Sequence, residues 1–373
     1  MGLKIAIVHD WLTNPGGAEK VVLAMAKAFP GAPIYTSVYD PEHCPGFEHL
    51  DVRTTYLQKL PIARRKHQFF PILRSHAFRK VDLSAFDVVL SSSSADAKAV
   101  QARPDAVHIC YCHTPTRYYW SHYQEYVQRP GFGKLDPMIR PAIPPLVRVM
   151  RKYDLEAANR VDYFIANSTE VQQRIKTYYH RDSAVLYPPT DVSVFKPGLG
   201  ERSGFIAVGR QVPYKRIDLP VAACTKLGLP LTVIGDGSES GALRAMAGPT
   251  IKFLGRASDA VLVEELGKAE ALIFPSFEDA GITPLDAMAC GTPVIAYGHG
   301  GVRDSVIPGK TGSFFDSQTI ESLATVLQSF DGSAFDHAAI RRHAESFDES
   351  VFIDKLQQLV ASFSQQKSTV NRR

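Results

Sequence analysis

The sequence predicts an α/β protein built from two doubly wound parallel-sheet domains that face each other across a ligand crevice. Three observations carry this. Short, continuously apolar, β-rich runs alternate with helical patterns, as strands buried on both faces should. The series restarts near residue 204, after the Pro- and Gly-rich stretch YPPTDVSVFKPGLGERS. The 373 residues exceed one ordinary core, so two domains of ordinary size are expected.

Taken in order, the first-half strands are IAIVHD (5–10), DVVLSS (87–92), AVHICYC (106–112) and YFIAN (163–167). The second-half strands are GFIAVG (204–209), LTVIG (231–235), IKFLG (251–255), ALIFP (271–275) and VIAYG (294–298). Turns of Gly, Pro, Asp and Ser separate them from the intervening helices. The expected division is residues 1–195, 196–345 and a C-terminal helix in 346–373, with helical spacing of apolar residues over 336–364. The polar end SQQKSTVNRR is expected to fray.

Hydrophobic content of 45% and charged content of 21% describe a soluble globular chain. A net charge of +4 does not by itself call for nucleic acid. The five cysteines are scattered with no C-x-x-C pair, which favours a reducing compartment and gives no zinc pattern. Cys110 and Cys112 alternate and so share one face of a strand. The opening MGLKIAIVHD reads as a strand rather than a signal peptide, and no apolar run spans a bilayer. A cytoplasmic protein is expected.

FEDAGITPLDAMACGTPV (277–294) reads as loop, helix and stop, ahead of the VIAYG strand. Thr283 suits the N-cap, Pro284 the first helical position, and Gly291 and Pro293 the stop. Glu278 then lies in the loop at a strand's carboxyl end and Asp286 in the first helical turn, both facing one crevice. Backbone N–H groups near Gly281 and Ile282 suit a phosphate. Thr283-x-x-Asp286 equally fits a capping box, and Glu278 alone fits a solvated loop acid.

VGRQVPYKRIDL (208–219) places Arg210 and Lys215 after the first strand of the second half. A departing diphosphate develops negative charge, which two cations stabilise. Arg grips phosphate with paired bonds, while Lys acts as a point charge. A solvated basic turn is the plain alternative, and Arg216 is read as surface. WLTNPGGAEK (11–20) offers Gly16 and Gly17 for close backbone approach at a helix start. It lacks G-x-G-x-x-G, which argues against a nicotinamide cofactor. CHTPTRYYW (112–120) puts His113 and Arg117 at another strand end. His113 is structural or catalytic; Arg117 is a candidate for a phosphate on an acceptor. The three aromatics pack the domain or stack on a ligand. VIGDGSES (233–240) is a Gly-rich turn of structural type.

Residues 59–80, KLPIARRKHQFFPILRSHAFRK, interleave Lys and Arg with Phe69, Phe70, Ile72, Leu73 and Phe78 and contain no acid. They suit an anionic membrane surface or a lipid-diphosphate acceptor, or a basic loop anchored in its own core. Single-stranded nucleic acid is a weaker fit, since no nucleic-acid motif accompanies them.

The order Gly-Gly, His, Arg–Lys, Glu–Asp resembles the retaining family 4 glycosyltransferases of the GT-B fold, over nearly the whole chain. Glu278 and Asp286 are similar to that family's E-x7-E pair. The resemblance implies that Glu278 holds hydroxyls of the donor sugar and Asp286 the ribose of the nucleotide. It implies that Arg210 and Lys215 meet the diphosphate and that His113 meets the donor sugar. Gly16 and Gly17 would line the seam between domains, near acceptor and diphosphate. FLGR (253–256) would form the nucleobase pocket, with Arg256 reading the base. The tail helix would cross back onto the N-terminal domain. Two departures stand out: Asp replaces Glu at 286, and Ala280 stands where an aromatic is common.

Within the family, VGRQVPYKR and AYGHGG look most like bacterial mannosyltransferases of O-antigen, lipopolysaccharide or exopolysaccharide synthesis. That likeness implies a GDP-mannose donor, a polyprenyl-diphosphate-linked glycan acceptor, and a place on the inner face of the plasma membrane. No metal or other cofactor is expected, because no D-x-D motif stands at a suitable strand end. A UDP-sugar transferase, a sugar-nucleotide epimerase and a non-catalytic nucleotide-sugar-binding protein are the rival readings.

Overall fold

The computed structural model describes residues 2–60, 70–128, 133, 136–198 and 200–370. The chain divides into two compact units. The first runs to Tyr187, the second spans Pro188–Val351, and from Phe352 the chain rejoins the first.

The first unit holds β1 (Ile5–His9), β2 (Ile34–Thr36), β3 (Val52–Thr54), β4 (Val88–Ser93), β5 (Val107–Cys112), β6 (Tyr163–Ala166) and β7 (Ser183–Val185). They form one parallel sheet in the order β3-β2-β1-β4-β5-β6-β7. Its helices include α1 (Gly17–Ala28), α2 (Pro71–Arg79), α3 (Ile143–Arg160) and α4 (Thr169–Tyr179). β4 and β5 are buried along their whole length, as continuously apolar runs demand.

The second unit holds β8 (Phe205–Val208), β9 (Leu231–Ile234), β10 (Ile251–Gly255), β11 (Ala271–Phe274), β12 (Val294–Tyr297) and β13 (Gly312–Phe315). Their order is β10-β9-β8-β11-β12-β13, again all parallel. Its helices include α5 (Asp218–Leu227), α6 (Ser240–Met246), α7 (Asp259–Lys268), α8 (Ile282–Ala289), α9 (Ile320–Ser329) and α10 (His337–Glu345). In each sheet the chain order reverses at one place: between β1 and β4, and between β8 and β11. Connections leave in opposite directions there, and the loops beyond the carboxyl ends splay to leave a ligand crevice.

The α/β class and every strand read from the sequence are present. The strands that escaped that reading are β2, β3, β7 and β13. Three of them are only three residues long, and β3 and β7 have no buried residue. Such strands leave no apolar run to detect.

The division between units falls at Tyr187, eight residues before the boundary read at 195/196. The Pro-rich stretch is not a bare linker. Phe195 is buried in the second unit's core, with Val192 packed against it. Arg341 donates from Nη2 to the Val192 carbonyl (2.7 Å) and from Nη1 to the Ala289 carbonyl (2.6 Å). Apolar anchors thus outweigh the Pro and Gly signal.

A last helix, α11 (Glu349–Val370), begins in the second unit and packs into the first from Phe352 onward. Phe352, Leu356 and Val360 recur at i, i+4 spacing and are buried beside Val21, Met25 and Tyr111. Phe363 stacks on Tyr163 with ring centroids 4.3 Å apart. Lys367 Nζ reaches Asp162 Oδ2 at 2.6 Å.

All five cysteines are buried and free. Among the described residues no helix is long and apolar enough to cross a membrane. Residues 61–69, at the centre of the basic-aromatic segment, lie outside the described residues. On α2 beside them Phe78 is a core residue, while Ile72 and Leu73 are exposed.

Leu356→Ala is expected to destabilise the protein by about 2–5 kcal/mol, the usual cost of emptying a fully buried leucine site. Urea unfolding measures it. An unchanged transition would mean that α11 contributes nothing to the first unit's core.

Candidate active-site elements

In the second unit, backbone meets backbone at the carboxyl ends of β8 and β9. A Cβ on Gly235 would lie 1.9 Å from the Gly209 carbonyl oxygen, and one on Gly237 would lie 2.3 Å from that of Gln211. Only glycine fits there. The two turns are closed by Gln211 N–H to the Asp236 carbonyl (3.0 Å) and Gln211 Nε2 to the Gly235 carbonyl (2.8 Å). Arg210 is left exposed, its Nη2 donating to the Tyr214 hydroxyl at 2.6 Å. Lys215 ends a single 3-10 turn, Pro213–Lys215, and its ammonium donates to Glu278 Oε1. Arg216 turns to Asp218 (3.0 Å) and so takes no part in the Lys215–Glu278 contact.

Glu278 is held there by the loop after β12. Gly301 N–H donates to the Glu278 carbonyl at 2.9 Å, and Glu278 bridges Gly300 as a parallel β-bridge. A Cβ on Gly300 would lie 2.5 Å from the Glu278 carbonyl, and one on Gly301 would lie 2.1 Å from that of Asp279. The GHGG run is therefore the mould in which the acidic loop sits.

The helix start differs from the sequence expectation. The N-cap of α8 is Gly281, at φ 80°, and Ile282 is the first helical residue. Thr283 is not the cap, because Gly281 can take the left-handed conformation that the turn requires. Pro284 is then third in the helix, still within the first turn where a missing N–H costs nothing. The capping-box reading of Asp286 falls with it. Asp286 is buried and accepts from Thr190 Oγ1 at 2.7 Å. Thr190 lies in the Pro-rich stretch and was not singled out from the sequence. Gly281, having no side chain, supplies no side-chain cap to α8, whose helix-start N–H groups lie beside Glu278 in sequence. Arg256 is exposed at the end of β10, two strands removed from β8, and is not brought to the Lys215–Glu278 pair through the sheet.

In the first unit, Asp10 is buried at the end of β1. Its carboxylate accepts from the backbone N–H groups of Ser94 (2.6 Å), Ala95 (2.9 Å) and Ala97 (2.7 Å). Burial alone would raise its pKa, but the neighbouring His9 and these N–H groups hold it below the ordinary carboxylate value. Gly16 is the N-cap of α1 in extended conformation, with no side-chain cap, and Gly16 and Gly17 are exposed. His113 follows β5, with its Nε2 2.8 Å from Ser92 Oγ. His9 Nδ1 lies 3.1 Å from both the oxygen and the hydroxyl of Ser92, and His9 Nε2 lies 3.8 Å from Glu19 Oε1. A run of contacts thus joins the Gly16–Gly17 helix to His113. His9, Glu19 and Ser92 were passed over in the sequence. His9 and Ser92 end apolar strands at the switch point, in VHD and LSSSS, but nothing in those motifs marks their partners.

The loop carrying Arg117 is pinned by Asp154. That carboxylate accepts from Thr116 Oγ1 (3.0 Å), Trp120 Nε1 (2.7 Å), Tyr179 OH (2.8 Å) and Lys98 Nζ (2.7 Å). Tyr119 is buried and Trp120 stacks on Tyr178 at 5.2 Å, so these two aromatics pack the unit. Tyr118 is exposed and Arg117 half-buried.

Residues 15–194 match the family described as Glycosyltransferase Family 4, and residues 192–332 match Glycosyl transferases group 1. Among curated relatives, the D-inositol 3-phosphate glycosyltransferase of Rhodococcus opacus is 29% identical over 222 residues, 50% of this chain and 50% of that protein. Its namesake in Mycolicibacterium smegmatis is 27% identical over 259 residues, 62% of this chain and 58% of that protein. The chain spans about half the length of the curated relatives it matches first. Sucrose-phosphate synthase of Thermosynechococcus elongatus superposes with a TM-score of 0.73 at 17% identity, over 96% of this chain and 98% of that one. Anabaena Alr3699/HepE in complex with UDP and glucose gives 0.69 at 17% identity, over 97% and 100%. These solved structures share the GT-B fold of two Rossmann-like parallel-sheet domains. Each half of the chain thus matches a glycosyltransferase family model. The curated relatives named here carry an inositol-phosphate activity in their names, not O-antigen mannosyl transfer.

Asp10→Asn is expected to cost about 2–4 kcal/mol at neutral pH, since an amide cannot replace a carboxylate accepting charge-assisted bonds. Asp10 is shifted down on folding, so its stabilisation is present above the unfolded carboxylate value and is lost as pH falls through the folded one. Denaturant titrations over the acid range should show the wild type losing stability that the variant never had. Parallel acid limbs would refute the assignment.

Proposed function

We propose that this chain is a retaining, metal-independent glycosyltransferase that moves a hexose from a nucleotide-sugar donor to a phosphate-bearing acceptor. The observation that carries the reading is the Lys215–Glu278 contact beside the glycine N-cap of α8, on loops flanking the β8/β11 switch point. One loop offers cations for a diphosphate, the next an acceptor group for sugar hydroxyls, and the helix start N–H groups for an anion.

In this reading the bond between the sugar's anomeric carbon and the diphosphate oxygen breaks as the acceptor hydroxyl attacks from the same face. The new glycosidic bond keeps the configuration, and the hydroxyl proton passes to the departing diphosphate oxygen. Arg210 and Lys215 stabilise the charge on that leaving group. Glu278 orients the sugar through its hydroxyls, and the family resemblance supports His113 as a donor-sugar contact. Gly16 and Gly17 admit close approach of diphosphate or acceptor. Asp286 faces the ribose, with the nucleotide competing against Thr190 for its carboxylate. Gly281 and Ile282 offer their N–H groups, and Arg256 meets the base. No side chain need act as base or covalent nucleophile.

For the donor we favour GDP-mannose, and for the acceptor a polyprenyl-diphosphate-linked glycan in cell-surface polysaccharide synthesis. Sequence resemblance supports this choice, and the exposed Ile72 and Leu73 beside the basic segment are consistent with a peripheral place on an anionic membrane. The second reading is a UDP-sugar donor with a phosphorylated cyclitol acceptor. The relatives' names and the UDP-bound neighbour favour it. Both acceptors carry phosphate, for which Arg117 is the candidate partner.

Thermal shift against GDP, UDP, ADP and dTDP, each with and without chelator, tests the donor. A ligand that binds the native state raises the unfolding midpoint by mass action. A shift with GDP that survives chelator is expected. A shift with UDP alone would overturn the mannosyl reading, and dependence on divalent metal would overturn the metal-independent mechanism. Glu278→Ala is expected to lower transfer on the order of 100-fold or more, while nucleotide binding persists. Equal turnover in mutant and wild type would sink the assigned role of Glu278.

A further inference from the structure

The contacts that end on His113 decide where its protons sit. Ser92 Oγ is 2.8 Å from His113 Nε2. On its other side Ser92 meets His9 Nδ1 through both its hydroxyl and its carbonyl oxygen, each at 3.1 Å. A carbonyl oxygen only accepts, so His9 Nδ1 must carry a hydrogen. His9 Nε2 faces the carboxylate of Glu19 at 3.8 Å, and an ionised carboxylate also only accepts. Both ring nitrogens of His9 therefore face acceptors. Burial disfavours the charged ring, yet Glu19, Asp10 and the Ser92 carbonyl together raise its pKa above the ordinary histidine value. Ser92 Oγ accepts from His9 and has one hydrogen left to give. His113 Nε2 lies within reach of that hydrogen, an arrangement in which the nitrogen accepts and the neutral ring carries its proton on Nδ1.

We propose that His9 and Ser92 are positioning residues for His113, locking its imidazole in the Nδ1–H tautomer and in one ring orientation. Their catalytic consequence rests on the reading of His113 as a donor-sugar contact. The packing agrees with a fixed ring. His113 stands edge-to-face against Tyr111 with centroids 5.2 Å apart, and against His9 at 6.4 Å. Tyr111 is itself fixed by its hydroxyl, which donates to the Leu186 carbonyl at 3.0 Å. Glu19 sits in the first turn of α1, directly after the Gly16–Gly17 pair. The glycine-loop helix and the histidine of the first unit are thus linked by an ion pair at Glu19 and by hydrogen bonds at Ser92.

Nitrogen NMR of the full chain with labelled histidine reads the tautomer without any turnover, and His113→Asn assigns the signal. The wild type should show His113 as Nδ1–H, and Ser92→Ala should release it toward the Nε2–H form that free imidazole prefers. His9→Leu should do the same, whereas His9→Asn, which keeps a donor at the Nδ position, should hold the wild-type form. An Nε2–H ring in the wild type, or the same tautomer in wild type and Ser92→Ala, would overturn the assignment. In transfer assays Ser92→Ala and His9→Leu should lower kcat on the order of 100-fold with little change in the donor's KM, as loss of tautomer control does elsewhere. His9→Asn should restore most of that loss. Released tautomers with full kcat would overturn the positioning role. A wild type that shows the Nδ1–H ring but transfers no sugar would instead overturn the glycosyltransferase reading and leave the tautomer assignment standing.

Discussion

Backbone-on-backbone packing at the carboxyl ends of the strands is the constraint on which the rest depends. Gly235 and Gly237 let the turn after β9 lie against the turn after β8, and Gly300 and Gly301 let the loop after β12 lie against the Glu278 loop. A single methyl at any of these positions would meet a carbonyl oxygen or carbon closer than atoms can approach. The pairs fix two loops from opposite sides of the β8/β11 reversal. Lys215 and Glu278 meet across the reversal, each on a loop braced by a neighbouring turn.

The first unit solves the same problem with charge. Asp10 gathers three backbone N–H groups from the loop after β4. Asp154 gathers Lys98 and three further donors around the loop after β5. Buried carboxylates are costly unless they are saturated in this way. Saturated, they leave a loop one arrangement, because each alternative strands a charge. Glycine packing and satisfied buried acids are therefore two routes to the same end, loops held rigid enough to present functional side chains.

The α/β class and nearly all the central strands were legible because parallel strands buried on both faces are continuous apolar runs. The edge strands β3 and β7 were not legible, because three-residue strands without a buried residue carry no pattern. Glu278, Arg210 and Lys215 were legible as polar residues placed just after such runs. The cap of α8 was misread because Thr283-Pro284 imitates a helix start, while Gly281 has the backbone freedom to begin one earlier. Thr190, His9, Glu19 and Ser92 were illegible for another reason. Their partners lie far off in sequence, and nothing local marks a serine that bridges two histidines across adjacent strands.

The Lys215–Glu278 pair also bears on selectivity within the proposed function. Each side chain is mostly withdrawn from solvent, at 20% and 15% exposure. Separating them leaves two partly desolvated charges, and breaking such a pair without new partners is strongly unfavourable. A free nucleotide could satisfy Lys215 through its phosphates but would leave Glu278 without a partner. A free sugar could satisfy Glu278 but not Lys215. Only a molecule that carries sugar hydroxyls and a diphosphate together supplies both replacements at once. Under the proposed function the pair would act as a filter for the intact nucleotide sugar. It discriminates by leaving a charge unpaired when the wrong ligand enters, rather than by adding contacts to the right one. In that reading, once transfer has left a nucleoside diphosphate without its sugar, re-formation of the Lys215–Glu278 contact would favour release of the product.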